Sequence, residues 1–411
     1  MKLSDSTALS HLRVLDLSRI LAGPWASQLL ADLGAEVIKI ERPGSGDDTR
    51  AWGPPYLEKG GGEGHGPAAY YLSCNRGKRS VTIDITTPEG QQLVRELAAR
   101  SDVVIENFKV GGLSRYGLDY ENLRELNSRL VYCSITGFGQ NGPYAHRAGY
   151  DFLIQAMGGL MSITGEPDTV PGGGPVKVGV ALADVLTGLY ATVGILAALA
   201  HREQSGVGQY IDLALLDVQV ASLANQAMNY LATGKAPGRM GNAHPNIVPY
   251  QAFKAADGHI VLTVGNDTQF FRFCRVADRL HWANDPRFAT NAARVRHRDE
   301  LIPLIDEVIS QRTQAWWIAE LEKVGVPCGP INDLEQVFDH PQIRHRGMRV
   351  SVEHPEIGEI PQVGNPIHLS ETPVRYQHPP PLLGEHTQSV LREVLGVTEQ
   401  EFTALRAKGV V

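Results

Sequence analysis

Short apolar stretches alternate with amphipathic helical stretches over the first half of the chain, and this alternation restricts the possible folds more than any other feature. Strands joined by helices of this length form right-handed βαβ units and a parallel sheet. The predicted strands are Arg13–Leu17, Val37–Ile40, Val81–Ile85, Val103–Ile105, Leu130–Ile135 and Gln209–Leu215. The predicted helices are 25–34, 89–99, 120–126, 184–203 and 217–231. An α/β fold with a parallel sheet follows.

The character of the sequence changes at Thr233, where residues 233–250 become rich in Gly, Pro and Asn. A chain of 411 residues also exceeds the roughly 250–300 residues that one core supports, so two domains are expected. The later part of the chain is predicted to hold a strand (259–264), three helices (269–279, 298–311 and 314–324), an antiparallel meander (349–369) and two tail helices. This smaller unit is expected to be α+β.

Composition and missing motifs exclude several classes of protein. A net charge of −7 argues against a general nucleic-acid binder, and the four cysteines contain no C-x-x-C pair for a zinc site. No phosphate-binding or dinucleotide-binding motif occurs, and the glycine-rich Lys59–Gly66 is interpreted as a flexible loop. We therefore expect no metal and no nucleotide cofactor. The N-terminus lacks the features of a signal peptide, which predicts a cytoplasmic protein.

Asp184 is the most unusual residue, since it interrupts the apolar segment 178–200. That segment is long enough to suggest a membrane span, but a carboxylate would be costly in lipid, so a core helix and no membrane partner are predicted. One interpretation of Asp184 is a helix N-cap. The other is a nucleophile: a carboxylate at a helix N-terminus is expected to stay ionised and can attack an activated acyl group.

Several basic residues follow the ends or edges of the predicted strands: Arg42, Arg76, Lys78, Arg79 and Arg115. Ligands of open α/β sheets bind beyond the carboxyl ends of the strands, so a phosphate-bearing ligand is one interpretation. Solvated surface charge is the other. Tyr150 and Asp151 are typical of a helix start, and His244 lies in a Gly/Asn/Pro-rich loop, where most histidines are surface residues.

Taken together, these stretches resemble the class III CoA-transferases, the group that contains formyl-CoA transferase and carnitine CoA-transferase. The resemblance extends from about residue 10 to the end of the chain. It rests on the stretches LDLSRILAGPWASQLLADLGAEVIKIERPGSGDDTR, NRGKRSVTIDITTPEG, VIENFKVGGLSRYGLDY, CSITGFGQNGP, GVALADVLTGLYA, GVPCGPI and PPLLGEHT.

This resemblance implies specific roles for residues of this chain. Asp184 matches the nucleophilic aspartate, which forms a covalent aspartyl-CoA thioester. The residues that match the coenzyme A site are Leu21, Ala22, Arg42, Ile83, Asp84, Ile85, Thr86, Asn107, Phe108, Lys109, Arg115, Arg147, Ala148, Gly149 and Tyr150. Coenzyme A enters as an acyl-CoA substrate, and small carboxylic acids are the other partners.

The resemblance also implies the architecture. The family has a Rossmann-like large domain, built from both chain ends, and a smaller middle domain, and two subunits form an interlocked homodimer. The corresponding boundaries here are 1–232 for the first part of the large domain, 233–345 for the small domain with linkers, and 346–411 for the linker and the return to the large domain.

Two departures narrow the activity. Leu21 replaces a glutamine of formyl-CoA transferase, so formate or oxalate is not the expected substrate, and only the loosely matching Gly241–Tyr250 is a candidate for its glycine-rich lid. The 2-methylacyl-CoA racemases share the fold and the aspartate but use a histidine where this chain has Tyr150. A phenol with a pKa near 10 is a poor substitute for an imidazole at neutral pH, which favours the transferase.

The closest resemblance within the family is to enzymes that transfer CoA from succinyl-CoA to glutarate. A second carboxylate in the acceptor requires a cation or polar group, and the candidates are Arg19, Arg50 and His244. Itaconate, mesaconate, malate and citramalate remain alternative acceptors at this point.

Overall fold

The computed structural model describes residues 7–57 and 66–411, so most of the predicted loop Lys59–Gly66 lies outside the described residues. The chain divides into two compact units. The first unit contains Met1–Leu160, Val178–Ala227 and Pro341–Val411, and the second contains Met161–Lys177 and Met228–His340. The predicted boundaries followed residues 232 and 345, and the prediction did not separate residues 161–177 from the large domain.

Eleven strands occur in the described residues. They are β1 Arg13–Asp16, β2 Glu36–Glu41, β3 Lys78–Thr82, β4 Val103–Glu106, β5 Val131–Thr136, β6 Tyr210–Ala214, β7 Tyr250–Ala255, β8 Gly258–Thr263, β9 Cys328–Pro330, β10 Arg349–His354 and β11 Gly358–Val363.

The α-helices of the described residues are α1 Ala22–Asp32, α2 Ala69–Ser73, α3 Pro88–Ala99, α4 Tyr120–Leu126, α5 Asp151–Met157, α6 Leu182–Ser205, α7 Leu215–Ala221, α8 Ala224–Thr233, α9 Asp267–Val276, α10 Leu280–Asn284, α11 Asn291–Arg296, α12 Arg298–Ile309, α13 Gln314–Lys323, α14 Leu334–Asp339, α15 Pro341–His345, α16 Thr387–Val390 and α17 Glu399–Ala407. A π-helical turn, Leu391–Leu395, follows α16.

The first unit is built on a six-stranded sheet in the order β3-β2-β1-β4-β5-β6, and all of its neighbouring strands are parallel. This is the strand order of a doubly wound Rossmann fold. Apolar side chains cover both faces: Val14 belongs to the core on one face and Leu15 to the core on the other. The prediction of an α/β fold with a Rossmann-like parallel sheet is confirmed.

Three of the differences between the predicted elements and the structure have a local cause. Strand β3 begins at Lys78 rather than Val81, because the side chain of Lys78 is buried and paired instead of solvated. The helix predicted over residues 217–231 is two helices, α7 and α8, and Ala224, the first residue of α8, has a φ of 46°. Strand β7 was missed because the preceding Gly/Pro/Asn-rich segment was interpreted as running through Tyr250.

Helix α6 carries the apolar segment around Asp184. By length and composition it is the one helix among the described residues that could cross a membrane, yet 50% of its most apolar window is buried. Its buried residues Ala183, Ala191 and Ile195 belong to the core beneath the parallel sheet. A Cβ on Gly188 would lie 2.8 Å from the backbone oxygen of Ala22, so a glycine permits the close approach of α6 to α1.

The second unit has an antiparallel sheet in the order β7-β8-β9, and helices pack around it. Phe253, Phe273 and Trp317 lie in its core, and the rings of Phe273 and Trp317 stack with centroids 6.2 Å apart. The C-terminal segment of the first unit contains the antiparallel hairpin β10–β11, which corresponds to the predicted meander.

Candidate active site

A cavity of about 510 Å³ lies in the first unit beyond the carboxyl ends of β1, β4 and β5. Each of these strands is followed by a segment that lines the cavity, as the general rule for open α/β sheets predicts. Asp184, at the start of α6, lies in the same lining. The lining includes Arg19, Leu21, Ala22, Asn107, Phe108, Lys109, Arg115, Arg147, Ala148, Gly149, Tyr150 and Asp184.

A second cavity of about 290 Å³ lies beyond the ends of β2 and β3. It shares three lining residues with the first cavity, namely Arg19, Phe108 and Arg115. The remaining predicted residues line it: Arg42, Ile83, Asp84, Ile85 and Thr86. Every residue that the resemblance assigns to coenzyme A therefore lines one of two neighbouring cavities, which together suit an elongated ligand.

Four basic side chains in these linings are exposed and have no carboxylate partner among residues 7–57 and 66–411: Arg42, Lys109, Arg115 and Arg147. Arg115 packs over the ring of Tyr116, and Arg147 packs over that of Tyr144. Aromatic packing orients a guanidinium without neutralising it. These cations are therefore available to the phosphates of a bound ligand.

The other basic residues of the predicted set have structural roles. Arg76 forms a buried ion pair with Asp32 at 2.7 Å, and Lys78 is buried against Asp16 at 3.1 Å. Arg79 pairs with Glu36 at 3.0 Å. The prediction that Arg76, Lys78 and Arg79 follow a strand end was wrong, because β3 begins at Lys78.

The structure contradicts the N-cap interpretation of Asp184. Helix α6 is preceded by Ala181 as its N-cap, so Asp184 is the third residue of the helix. Its backbone N–H donates to Asp151 Oδ1 at 3.4 Å, and the N–H of Ala183 donates to the same oxygen at 2.8 Å. Asp151 therefore caps the helix in place of Asp184, and the carboxylate of Asp184 remains free to face the cavity.

Asp151 was recognised from the sequence only as a helix-start residue. It begins α5, and its other oxygen accepts a hydrogen bond from Gln155 Nε2 at 2.7 Å. The buried Gln155 in turn accepts one from the backbone N–H of Val178 at 2.9 Å. These contacts hold the segment that precedes α6. The lead-in Arg147-Ala148-Gly149, which precedes Tyr150 and Asp151, was the one local signal for this role.

Two effects raise the pKa of Asp184 to about 7. The larger is burial, and the second is the negative charge of Asp151. Within the described ranges no side chain donates a hydrogen bond to its carboxylate. The sequence predicts that the helix dipole keeps this group ionised. In the structure, burial opposes the dipole and raises the pKa. A carboxylate of this basicity is a stronger nucleophile once it has lost its proton.

A raised pKa alone would not identify Asp184. Burial also raises the pKa of Glu106 to about 7, but Glu106 lines a different cavity of about 250 Å³. One oxygen of Glu106 accepts the backbone N–H of Phe108 at 2.7 Å, which holds the loop after β4. Among residues 7–57 and 66–411, only Asp184 combines a carboxylate without a hydrogen-bond partner with a position in the cavity that the basic residues line.

Glycines bring the walls of this cavity together. A Cβ on Gly137 would lie 2.6 Å from the Cα of Gly149, and a Cβ on Gly149 would lie 2.5 Å from the Cα of Gly137. Both residues line the cavity. Any larger residue at either position would push apart the end of β5 and the segment that leads to Tyr150.

The three candidates for a second substrate carboxylate lie in different environments. Arg19 lines both cavities and pairs with Asp48, and both side chains are 49% exposed. Arg50 lines neither cavity: it forms two hydrogen bonds to Glu41 and one to Tyr71, which gives it a structural role.

His244 lies in the second unit, where its ring packs against Tyr250 and its Nδ1 accepts the backbone N–H of Asn246. Burial and then the charge of Arg298 lower the pKa of His244. The candidate lid Gly241–Tyr250 also lies in the second unit.

Among the residues that the structure describes, no group of three or more His, Cys, Asp or Glu side chains could hold a metal ion. That no metal is required stays a prediction.

Comparison with known proteins shows the family to which this chain belongs. The sequence model described as CoA-transferase family III matches residues 9–387. A protein of Agrobacterium fabrum named succinate–glutarate CoA-transferase is 55% identical over 390 residues, which cover 94% of this chain and 95% of the relative. A human protein named succinyl-CoA:glutarate CoA-transferase is 45% identical over 403 residues, covering 98% and 90% of the two chains.

This chain is also similar to a protein of known structure. The crystal structure of a CAIB/BAIF family protein from Brucella suis is 51% identical to this chain and superposes with a TM-score of 0.82. The match covers 95% of this chain and 100% of that one.

Proposed function

The chain belongs to CoA-transferase family III and is a CoA-transferase, and on this basis we propose that it moves CoA from succinyl-CoA to glutarate through a covalent intermediate on Asp184. One observation carries the proposal. The carboxylate of Asp184 is half-buried, lacks a hydrogen-bond donor among the described side chains, and lines the cavity where Arg115, Lys109 and Arg147 also lie unpaired.

The proposed reaction proceeds by four acyl transfers. Ionised Asp184 attacks the thioester carbonyl of succinyl-CoA, which forms a mixed anhydride and releases the CoA thiolate. The thiolate attacks the aspartyl carbonyl of the anhydride, so that succinate leaves and an aspartyl-CoA thioester remains. Glutarate then attacks this thioester and forms a second anhydride. The released thiolate attacks the glutaryl carbonyl, which yields glutaryl-CoA and restores the carboxylate.

The energetics of this sequence need no nucleotide hydrolysis, because one thioester replaces another. The chemistry does require an ionised nucleophile that water does not solvate fully. Partial burial supplies the second condition, and a pKa of about 7 allows the carboxylate to ionise near neutral pH.

The lining residues support the binding of coenzyme A in an extended form. Arg42 and the segment Ile83–Thr86 line the cavity beyond β2 and β3, while Asp184 lines the cavity beyond β1 and β4. Arg115 lines both. We assign the nucleotide end of coenzyme A to the Arg42 side and the thioester end to the Asp184 side.

Glutarate is the proposed acceptor because relatives that are 44–55% identical carry this acid in their names. Arg19 is the candidate in the first unit for its second carboxylate. Other relatives are named for other acids: one of Chloroflexus aurantiacus, 37% identical, is named succinyl-CoA–D-citramalate CoA-transferase. Mesaconate, citramalate, malate and itaconate are therefore the acceptors to compare with glutarate.

Mass spectrometry after mixing the protein with succinyl-CoA tests the intermediate, and a glutarate-dependent transfer assay tests the substrate. We expect a CoA adduct on the peptide that contains Asp184, and formation of glutaryl-CoA. Asp184→Ala should lose both. Asp217→Ala is a matched control, since Asp217 is also the third residue of a helix but is exposed and lines neither cavity.

Each other outcome has a defined meaning. An adduct without glutaryl-CoA would retain the mechanism and direct the search to the other dicarboxylates. Exchange of the α-proton of a 2-methylacyl-CoA, with neither adduct nor transfer, would replace the proposal with a racemase. A homodimer and a cytoplasmic location stay predictions, which sedimentation and cell fractionation would test.

A further inference from the structure

Three successive residues at the edge of the active-site cavity have all their backbone polar groups hydrogen-bonded to side chains of residues outside the three. We call Ser18–Ile20 the clamped segment. Its three N–H and three C=O groups take part in six such hydrogen bonds. The side chains that form them are Asp16, Lys39, Asp47, Cys74 and Asn107.

The side chain of Asn107 makes the central contacts. Its Oδ1 accepts the backbone N–H of Arg19 at 2.9 Å, and its Nδ2 donates to the backbone oxygen of Arg19 at 2.6 Å. The resemblance assigns Asn107 to coenzyme A. In the structure, however, both ends of its amide are already bonded to the neighbouring segment.

A buried ion pair holds the residues on either side. Lys39 Nζ lies 2.9 Å from Asp47 Oδ2 and donates to the backbone oxygen of Ser18 at 2.8 Å. Asp47 Oδ1 accepts the backbone N–H of Ile20 at 3.3 Å. The side chains of Lys39 and Asp47 are both 0% exposed. Neither belongs to the proposed chemistry, and both reach the clamped segment.

The hydrogen bonds to the clamped segment, which we call the clamp, hold an unfavourable backbone conformation. Ile20 has a φ of 73°, in the left-handed region that a β-branched residue rarely adopts. Such a conformation persists only where its surroundings enforce it, and residues of this kind concentrate at functional sites. The six hydrogen bonds to the segment are those surroundings.

The chain passes directly from Ile20 into the wall of the cavity. Leu21 and Ala22 follow, and both line the cavity together with Asp184. Ala22 begins α1, which α6 approaches closely at Gly188, one turn beyond Asp184. The backbone direction at Ile20 therefore determines where this wall lies relative to the nucleophile.

We propose that Asn107, Lys39 and Asp47 are positioning residues, which hold Ile20 in the left-handed conformation and so place the Leu21–Ala22 wall against the reacting acyl group. The inference rests on the proposed function for its kinetic consequence. Its structural content, that side-chain hydrogen bonds enforce a strained turn at Ile20, does not depend on that function.

The decisive experiment is rescue by glycine. Asn107→Ala removes two bonds of the clamp and should lower kcat by roughly tenfold to a hundredfold with a smaller change in KM, since small displacements at an active site have effects of this size. Adding Ile20→Gly should restore most of the loss, because glycine adopts a positive φ without steric cost. Adding Ile20→Val, which keeps the β-branch, should restore nothing.

These outcomes separate positioning from direct contact. If Asn107 acts by touching coenzyme A, glycine at position 20 will not raise kcat above that of the Val double variant, and the proposal fails. It also fails if Asn107→Ala keeps the wild-type kcat. Asp32→Asn is the control, because it disrupts the buried Asp32–Arg76 pair, which does not contact the clamped segment, and it should lower stability but not kcat.

Two further measurements distinguish a failure here from a failure of the proposed function. Amide hydrogen exchange should be faster at Arg19 and Ile20 in Asn107→Ala and unchanged there in Asp32→Asn, whatever acid the enzyme uses. Calorimetry with coenzyme A alone should show weaker binding in Asn107→Ala and recovery with Ile20→Gly. Wild-type protein that transfers CoA to none of the acids would refute the proposed function and leave these two results to decide the clamp.

Discussion

Asp16, which is fully buried, and Asp184, which is half-buried, are both carboxylates of the first unit, but their surroundings differ. Asp16, at the end of β1, accepts hydrogen bonds from Ser18, Ser27 and the ammonium of Lys78. Burial raises the pKa of Asp16, but the opposing effects are larger in sum and lower this pKa to about 2. The largest of the opposing effects is the charge of Lys78. Asp184 has neither a cation nor a hydrogen-bond donor for its carboxylate among the described side chains, and its pKa is raised to about 7.

This difference shows how one domain can contain one carboxylate with a structural role and another that is suited to act as a nucleophile. A carboxylate that is paired and hydrogen-bonded is chemically inert, since its lone pairs are engaged. A desolvated carboxylate without a partner is destabilised as an anion, so it is both more basic and more reactive. Within the described residues, the same fold therefore gives partners to the carboxylate at the end of β1 and none to the one that faces the cavity.

The largest effect on the free energy of unfolding is expected from removing Lys78, the cation that pairs with Asp16. Lys78→Met leaves Asp16 as a buried anion without its nearest cation and also removes the hydrogen bonds to Pro24 and Asn75. The free energy of unfolding should fall by roughly 3–5 kcal/mol, as for other broken buried ion pairs. Urea unfolding at neutral pH measures it.

The exposed pair between Lys408 and Glu89 provides the control. Lys408→Met should leave the urea midpoint nearly unchanged, since exposed ion pairs contribute little. Equal effects of the two substitutions would mean that water solvates Asp16 after all, and the contrast with Asp184 would be lost.

At Asp184, removing the charge is expected to increase the free energy of unfolding rather than lower it. Because its folded-state pKa is raised, the folded protein binds a proton that the unfolded chain has already released between about pH 4 and pH 7, so this group lowers stability as pH rises through that window. Asp184→Asn should therefore increase the free energy of unfolding above pH 7, by roughly 2–4 kcal/mol.

Unfolding measured at several pH values checks this sign. The difference between Asp184→Asn and wild type should disappear below about pH 4, where the aspartate is protonated in both states. A variant that is less stable than wild type at pH 8 would show that the carboxylate has a stabilising partner.

The smallest effect concerns Asp151. Its charge is the second cause of the raised pKa of Asp184, so Asp151→Asn should shift the acid limb of the pH–rate profile to lower pH by less than about one unit. The limb should remain well above pH 4, because burial is the first cause. The asparagine oxygen can still accept the N–H of Ala183, which keeps the start of α6 in place.

Asp217→Asn is the matched substitution for this measurement and should not move the limb. A shift of the limb to higher pH in Asp151→Asn would mean that Asp151 supports the ionised form of Asp184. No shift at all would remove Asp151 from the electrostatics of the site and leave it as a helix cap.

Much of the site was predictable from local sequence. Asp184 was identifiable because a carboxylate in an apolar helical segment is unusual, and Arg42 and Arg115 because they follow strands of a parallel sheet. The residues that the family resemblance adds, such as Ile83–Thr86 and Arg147–Tyr150, line the same two cavities. Local order along the chain is sufficient here, since segments that follow parallel strands meet at one edge of the sheet.

Partners distant in sequence were not predictable. Arg76 and Lys78 resemble surface or ligand-binding cations in the sequence, yet each is buried against an acidic side chain from α1 or β1. Asp151 caps a helix that begins more than 30 residues later, and its contact with Asp184 spans 33 positions. Whether a charged residue is buried depends on such a partner, which periodicity does not report.

The sequence by itself determined the alternating elements, the parallel sheet and the edge at which the active site forms, because hydrophobic periodicity reports burial within each element. Only the tertiary structure decided the state of the groups at that edge. It places the carboxylate of Asp184 without a partner in the described part of the chain and that of Asp16 with several. It also holds Ile20 in a conformation that side chains from four other segments enforce. The physical reason is that pKa and backbone strain depend on distances between atoms that the chain brings together only when it folds.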